Sequence, residues 1–128
     1  MSARVVVVED SAAMRERIVR MLTSLPDVAV VGCADDAVSA IALIESQQPQ
    51  IVVLDVLLSH DDLGIEVLHH ARTLPESPQV VVLSNFDWAW LRVRYLAAGA
   101  HAYFDKSLEF EQARDCIARL AAALPQAC

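Results

Sequence analysis

Short apolar runs alternate along the chain with longer segments in which apolar residues recur three or four positions apart. Within the runs the apolar positions are consecutive and mostly β-branched, a pattern typical of parallel strands that are covered on both faces. The longer segments have the spacing of amphipathic helices. The resulting order, βαβαβαβαβα, predicts one doubly wound α/β domain with a parallel sheet and right-handed crossovers. The predicted strands are residues 5–8, 28–33, 51–54, 80–83 and 102–104.

Composition and charge narrow the functional classes. The 128 residues are 55% apolar and 21% charged, enough for one folded domain with a core. The net charge of -7 argues against direct nucleic-acid binding. No apolar stretch is long enough to span a membrane, and the N-terminus runs straight into the first predicted strand. We therefore expect no membrane span, no signal peptide and a cytoplasmic location.

The three cysteines, Cys33, Cys116 and Cys128, show no short metal-binding spacing. An odd number without such spacing favours reduced thiols in a cytosolic core over a disulfide framework or a zinc site.

Polar residues directly follow four of the predicted strands. They are Glu9 and Asp10, Asp55, Ser84, and Lys106. In an open α/β sheet the ligand site lies beyond the carboxyl ends of the strands, near the point where the strand order reverses. Carboxylates gathered there suit Mg²⁺, which takes one or two carboxylates together with water and phosphate oxygens. The sequence therefore predicts a magnesium site with a phosphate partner.

Each of these residues also has an ordinary structural interpretation. An acidic pair after a strand can simply cap the following helix, and a serine after a strand is common. Asp55 lies within an apolar stretch, where an unpaired carboxylate is costly, so we expect it to have a partner. Lys106 is the only lysine among ten basic residues. The joint arrangement is a much stronger signal than any one member.

Other phosphate and hydrolase motifs are missing from the sequence. Gly32, Gly64 and Gly99 build neither a dinucleotide-binding nor a P-loop glycine motif. The acidic loop after the first strand does not suit the phosphate of FMN, and no G-x-S-x-G elbow is present. Nucleotide binding and α/β-hydrolase chemistry are therefore not supported.

Four sequence blocks stand in order along nearly the whole chain. They are VVVVED at 5–10, IVVLD at 51–55, VVVLS at 80–84 and AGAHAYFDK at 98–106. Together they resemble the signature blocks of two-component response-regulator receiver domains. The resemblance implies a five-stranded (βα)₅ sheet in the flavodoxin-like order 2-1-3-4-5 and a receiver domain over residues 1–124. Residues 125–128 are expected to be a frayed tail or the start of a linker.

The resemblance implies a role for each acidic residue. Asp55 would be the phosphoacceptor, attacking the phosphoryl group of a phosphohistidine, and would also be a ligand of Mg²⁺. Asp10 would bind the ion directly and Glu9 through water, with the backbone carbonyl of Leu57 as a further ligand. Such a domain takes up and loses its own phosphoryl group but is not a turnover enzyme.

The resemblance implies three further residues that bind or report the phosphoryl group. Lys106 would pair with the Asp55 carboxylate and then with the phosphoryl oxygens. Ser84 would hydrogen-bond to the phosphoryl group, and the rotamer of Tyr103 would report the switch. This agrees with the needs of phosphoryl transfer, which depends on positioning and charge neutralisation.

The sequence departs from the family pattern in two loops. Ser59 replaces the usual proline, and Gly64 lies one residue further from Asp55 than is usual, so we expect a bulged loop over residues 57–63. Ser107 replaces the proline after the lysine, which predicts a trans peptide bond there. Asn85 replaces a small residue beside Ser84 and puts access by a kinase in question.

The resemblance also implies partners. Upstream these are a sensor histidine kinase or a histidine phosphotransfer protein, and downstream a protein target or a fused output domain. The family's partner surface is the fourth helix, fifth strand and fifth helix, and we assign Trp88, Arg92 and Tyr95 to it. Trp88 and Trp90 would lie about 200° apart on the fourth helix, so both cannot face the core. Either one of them is exposed, or each packs in part on a neighbouring loop. The charges available for a homodimer across this face are Arg92, Arg94, Arg114, Glu109, Glu111 and Asp115.

Two alternative functions remain open. The loop departures are compatible with a pseudo-receiver, an interaction module of the same fold that is not phosphorylated. An aspartate-based phosphohydrolase is weaker, because its second aspartate would fall at Leu57.

Overall fold

A parallel sheet of five strands runs through the centre of the computed structural model, which describes residues 2–124. The strand order is β2-β1-β3-β4-β5, as predicted. Nearly all side chains of the three central strands are buried, because helices cover both faces of the sheet. The strands are β1 (Ala3–Val8), β2 (Val28–Ala34), β3 (Ile51–Leu54), β4 (Gln79–Ser84) and β5 (Ala102–Asp105).

Two helices pack on one face of the sheet and three on the other. Val5 and Val7 of β1 face the core under the first and fifth helices, and Val6 and Val8 face the core under the second, third and fourth. This division explains why the strands are apolar at consecutive positions. The helices are α1 (Ala12–Thr23), α2 (Ala37–Gln47), α3 (Gly64–Arg72), α4 (Ala89–Ala97) and α5 (Phe110–Ala123).

The strand order reverses beside β1, which pairs with β2 on one side and β3 on the other. Val8 pairs in register with Leu54, so the residues that follow β1 and β3 emerge side by side. Ser84 pairs with Asp105, which brings the end of β4 to the end of β5. The polar residues that follow the strands therefore share one edge of the sheet.

Three further expectations concern the cysteines, membrane spans and the C-terminal tail. Cys33 and Cys116 are free thiols, but Cys33 is exposed on the edge strand β2 and is not a core residue as expected. Among residues 2–124, no helix is long and apolar enough to cross a membrane. The expected tail at 125–128, including Cys128, lies outside the described residues, and the domain boundary at 124 stays a prediction.

Candidate functional site

Three acidic side chains meet where β1 and β3 end. The backbone N–H of Asp55 donates to the carbonyl of Val8 over 2.9 Å, which sets Asp55 beside Glu9 and Asp10. One carboxylate oxygen from each of the three lies within 4.8 Å of the others. Glu9 and Asp55 are only 1% and 7% exposed, whereas Asp10 is exposed at the rim. The structure thus brings the three carboxylates singled out in the sequence into one cluster.

Lys106 follows β5 and lies between the two buried carboxylates. Its Nζ atom is 2.6 Å from Glu9 Oε1 and 3.1 Å from Asp55 Oδ2. Its backbone N–H donates to the carbonyl of Ser84 over 2.9 Å, which fixes the lysine beside β4. The expected pairing with Asp55 is present, and the closer pairing with Glu9 was not anticipated from the sequence.

The two buried carboxylates share one ammonium group and protonate differently. Burial raises the pKa of Asp55 to about 7; a hydrogen bond with Glu9 and the Glu9 charge add to the rise, and Lys106 opposes it. Burial also acts to raise the pKa of Glu9, but hydrogen bonds with Asp55 and Lys106 outweigh it and hold that pKa below its ordinary value. Around neutral pH Asp55 therefore exchanges its proton while Glu9 stays ionised.

The cluster fits a magnesium ion by its chemistry and its charge. All three side chains offer hard oxygen donors, and Asp10 at the rim can meet a partly hydrated ion. With every group ionised, three carboxylates face one ammonium group, and the excess negative charge is what a divalent cation neutralises. Leu57 lies in the loop directly after Asp55, where it forms an isolated antiparallel bridge with Leu63.

Ser84 and Tyr103 both contact the backbone of Phe86. The hydroxyl oxygen of Ser84, which is fully buried, accepts from the N–H of Phe86 over 2.8 Å. The hydroxyl of Tyr103 donates to the carbonyl of Phe86 over 2.6 Å, and its ring packs edge-to-face on Tyr95. Burial raises the pKa of Tyr103, so the phenol is a donor at neutral pH. Tyr103 is therefore held inward, beside the end of β4.

The loop over residues 57–63 contains the extra residue seen in the sequence. It forms a short 3₁₀ turn at Ser59–Asp61, in which His60 and Asp61 take left-handed backbone conformations. The turn ends before Gly64, whose N–H donates to the carbonyl of Val56 over 2.7 Å. A Cβ at Gly64 would collide with the carbonyl oxygen of Asp55, so only glycine allows this close approach.

The peptide bond between Lys106 and Ser107 is trans, since the described residues contain no cis peptide bond. The backbone N–H groups of Ser107 and Leu108 both donate to Asp105 Oδ1, each over 2.8 Å. A proline at position 107 would lack one of these donors. Ser107 thus supplies a backbone hydrogen bond to Asp105 that a proline at this position could not form.

Of the three partner-face assignments, the one at Tyr95 is wrong, while those at Arg92 and Trp88 stay predictions. Tyr95 is only 1% exposed and belongs to the core under α4, because its ring packs against Tyr103. Arg92 is half-buried; it donates to the carbonyl of Tyr103 over 2.6 Å and pairs with Glu109 at 3.1 Å. Of the three, Trp88 is the residue that is open to solvent.

The expected placement of the two tryptophans on opposite sides of α4 is wrong. Trp88 precedes the helix in an extended conformation, so helical spacing does not apply to it. Trp88 and Trp90 are both exposed, at 53% and 62%, and their rings stack with centroids 5.9 Å apart. Trp88 also stacks on Phe86.

Glu109 has a structural role that the sequence did not reveal. It was grouped with the charges available for a dimer, yet its Oε1 atom accepts from the N–H of Asp105 over 3.0 Å and pairs with Arg92. Arg114 likewise pairs with Asp115 within the chain. The local sequence does not distinguish Glu109 from Glu111, since both are acidic residues near the start of a helix.

Comparison with known proteins identifies the family to which this fold belongs. Residues 5–118 match the response regulator receiver domain family, so the chain belongs to that family, whose members signal through phosphorylation. The response regulator MprA of Mycobacterium ulcerans is 36% identical over 124 residues, which is 97% of this chain and 51% of that protein. Protein-glutamate methylesterase/protein-glutamine glutaminase 3 of Shewanella oneidensis is 35% identical over 76% of this chain and 27% of its own length. The chain thus spans about half of the first relative and about a quarter of the second.

Solved structures show the same architecture. The response regulator domain of Thermotoga maritima CheB superposes with a TM-score of 0.81 at 27% identity, covering 98% of this chain and all of that one (100%). A LuxR-family two-component response regulator from Aurantimonas sp. SI85-9A1 gives a TM-score of 0.82 at 30% identity, covering 93% and 86% of the two chains.

Proposed function

We propose that this receiver domain accepts a phosphoryl group on Asp55 from a phosphohistidine and then signals through contact with another protein. The observation that carries the proposal is the position of Asp55: a nearly buried carboxylate, 3.1 Å from the ammonium of the only lysine, beside two further carboxylates. The donor is a sensor histidine kinase or a histidine phosphotransfer protein. The phosphorylated domain then acts on a downstream protein target or on a fused output domain. All of these proteins act in the cytoplasm.

The transfer follows from the groups around Asp55. A carboxylate oxygen of Asp55 attacks phosphorus, the bond from phosphorus to the histidine nitrogen breaks, and an acyl phosphate forms on Asp55. Lys106 Nζ, already 3.1 Å from Asp55, then pairs with a phosphoryl oxygen. Ser84 turns its hydroxyl from the N–H of Phe86 to the phosphoryl group, which frees the Phe86 backbone that Tyr103 also holds.

We assign Mg²⁺ to Glu9, Asp10, Asp55 and the backbone carbonyl of Leu57. When bound, the ion supplies positive charge to the phosphoryl oxygens during transfer. We propose a switch whose only covalent product is the phosphorylated domain itself.

Intact-mass measurement after incubation with Mg²⁺ and acetyl phosphate tests the proposal. We expect an adduct of one phosphoryl group that is lost in Asp55→Asn. Asp61→Asn is the matched control, because Asp61 is an exposed aspartate in the neighbouring loop and asparagine tolerates its left-handed backbone. An unmodified wild-type protein would instead indicate the pseudo-receiver.

A further inference from the structure

An apolar cleft of about 260 Å³ opens between the loop after β3 and the start of α4. Its floor consists of buried residues from the loop after β3, from α3 and from α4. Its walls are more exposed, and they carry aromatic rings on one side and leucines on the other. The wall residues are Leu57 and Leu63, facing Phe86, Trp88, Trp90 and Arg94.

The aromatic wall is a preformed surface. The ring centroids of Phe86 and Trp88 are 5.0 Å apart, and those of Trp88 and Trp90 are 5.9 Å apart at an interplanar angle of 10°. Stacking holds both tryptophans in place although more than half of each is exposed. Aromatic side chains fixed before binding lose little conformational entropy in a complex, and tryptophan is enriched among residues that dominate binding energy.

Arg94 gives the cleft its charge. It is the one charged residue of the lining, and it forms no ion pair with any carboxylate of residues 2–124. By contrast, Arg92 and Arg114 pair with Glu109 and Asp115 within the chain. An unpaired guanidinium beside an apolar surface is complementary to an occupant that combines apolar side chains with a carboxylate.

The fold also limits the form of the occupant. The cleft lies between the loops that follow the inner strands β3 and β4, while the open edges of the sheet belong to β2 and β5. Strand addition is therefore not available here, and an occupant must bind through its side chains, as an amphipathic helix does. A closed two-fold dimer would face cleft to cleft and bring two Arg94 side chains together, which disfavours a second copy.

We propose that this cleft docks an amphipathic helix of another protein, with aliphatic or aromatic anchors against the tryptophans and a carboxylate on Arg94. Of the residues assigned to the partner face, Trp88 lies in the wall of this cleft and Tyr95 in its buried floor, whereas Arg92 is not part of the lining. The cleft is open in the unphosphorylated protein, so the proposal is tested on that form.

Selection from a phage-displayed random peptide library on the immobilised full chain identifies the peptides that bind in the cleft. We expect enriched peptides with two large apolar residues at helical spacing and a neighbouring aspartate or glutamate. Synthetic copies should bind the wild type and lose roughly tenfold or more in affinity in Trp90→Ser and Arg94→Glu. The matched controls are Val93→Ser, on the same helix outside the cleft, and Arg114→Glu.

Several results would overturn the proposal. These are no enrichment, enrichment of basic peptides, or binding that is indifferent to Trp90→Ser and Arg94→Glu. Concentration-dependent dimerisation in sedimentation that Trp90→Ser abolishes would show that a second copy is the occupant. Leu63→Ser, on the opposite wall, repeats the test should Trp90→Ser fail to fold, which circular dichroism detects.

Discussion

Asp55 and Glu9 lie side by side, yet only one of them holds its negative charge through the neutral range. Lys106 lies closer to Glu9 than to Asp55, and burial acts on both. The proton therefore resides on Asp55, whose pKa is raised to about 7. A group with a raised folded-state pKa stabilises the fold at lower pH and loses that contribution as the pH rises through the folded value.

Replacement of Asp55 by asparagine should remove a pH dependence of stability. In chelator, the wild type should lose stability between about pH 5 and about pH 8 as Asp55 ionises, whereas Glu9, with its lowered pKa, titrates below that window. Across this pH window, the free energy of unfolding of Asp55→Asn should rise relative to that of the wild type by on the order of a few kcal/mol. Urea unfolding at several pH values measures this, and a constant difference between the two proteins would contradict it.

Removal of the ammonium at Lys106 should separate ion binding from switching. Lys106→Ala leaves two buried carboxylates uncompensated, which should destabilise the metal-free protein by about 3 kcal/mol at neutral pH. Mg²⁺ should still raise the melting temperature of this variant. Tryptophan fluorescence reports on Trp88, which stacks on Phe86, and its response to acetyl phosphate should disappear. A fluorescence response equal to that of the wild type would show that Lys106 is not needed for the switch.

Leu57 should prolong the life of the phosphoryl group. Its partly exposed side chain follows Asp55 by two residues and cannot orient a water molecule for in-line attack. We expect Leu57→Asn to lose phosphoryl groups roughly tenfold faster, measured by intact mass over time. Phe86→Glu should act more weakly, since Phe86 packs toward Trp88 and the core. Equal rates in Leu57→Asn and wild type would refute this role of the leucine.

At the scale of elements, the sequence predicted strands better than helix ends. The consecutive valines of β1 and β4 have one low-energy arrangement, a strand buried on both faces, so their positions follow from the pattern. The start of α4 does not follow from the pattern, because Trp88 shows no sequence signal that excludes it from the helix. Val38 of α2 is apolar but exposed, since Ala37, Ala40 and Ile44 are the residues of this helix that face the sheet.

The turn between β5 and α5 should depend on the backbone donor of Ser107. Ser107→Pro restores the usual family residue but removes one of two N–H donors to Asp105, which should cost about 1 kcal/mol of stability. Ser107→Ala keeps that N–H and should be close to neutral. Thermal unfolding compares the two variants, and the turn argument fails if the proline variant is as stable as the alanine variant.

At the scale of the whole molecule, topology explains why the site could be predicted and the outer surface could not. Asp55, Glu9 and Lys106 meet because parallel strands end at one edge, which the order of elements already implies. The surface of α4 depends on side-chain packing across the chain. Tyr95 is buried through its contact with Tyr103, and Arg92 is occupied by Glu109, neither of which is adjacent in sequence.

Binding of Mg²⁺ at the sheet edge should stabilise the entire domain. Because β1, β3 and β5 all supply residues to the site, the ion favours the folded state by mass action, about 2.7 kcal/mol at a hundredfold excess over its Kd. Millimolar Mg²⁺ should therefore raise the melting temperature of the wild type and of Asp61→Asn. The melting temperature of Asp10→Asn should rise much less. Indifference of the wild type to Mg²⁺ would mean that the carboxylates do not form an ion site.

The central claim is that Asp55 is the residue that becomes phosphorylated. Borohydride reduces an aspartyl phosphate to homoserine, so reduction of protein treated with acetyl phosphate and Mg²⁺, followed by peptide mass spectrometry, locates the modified residue. We predict homoserine at position 55 and unmodified aspartate at position 10. Homoserine at another aspartate, or none in the treated protein, would contradict the account.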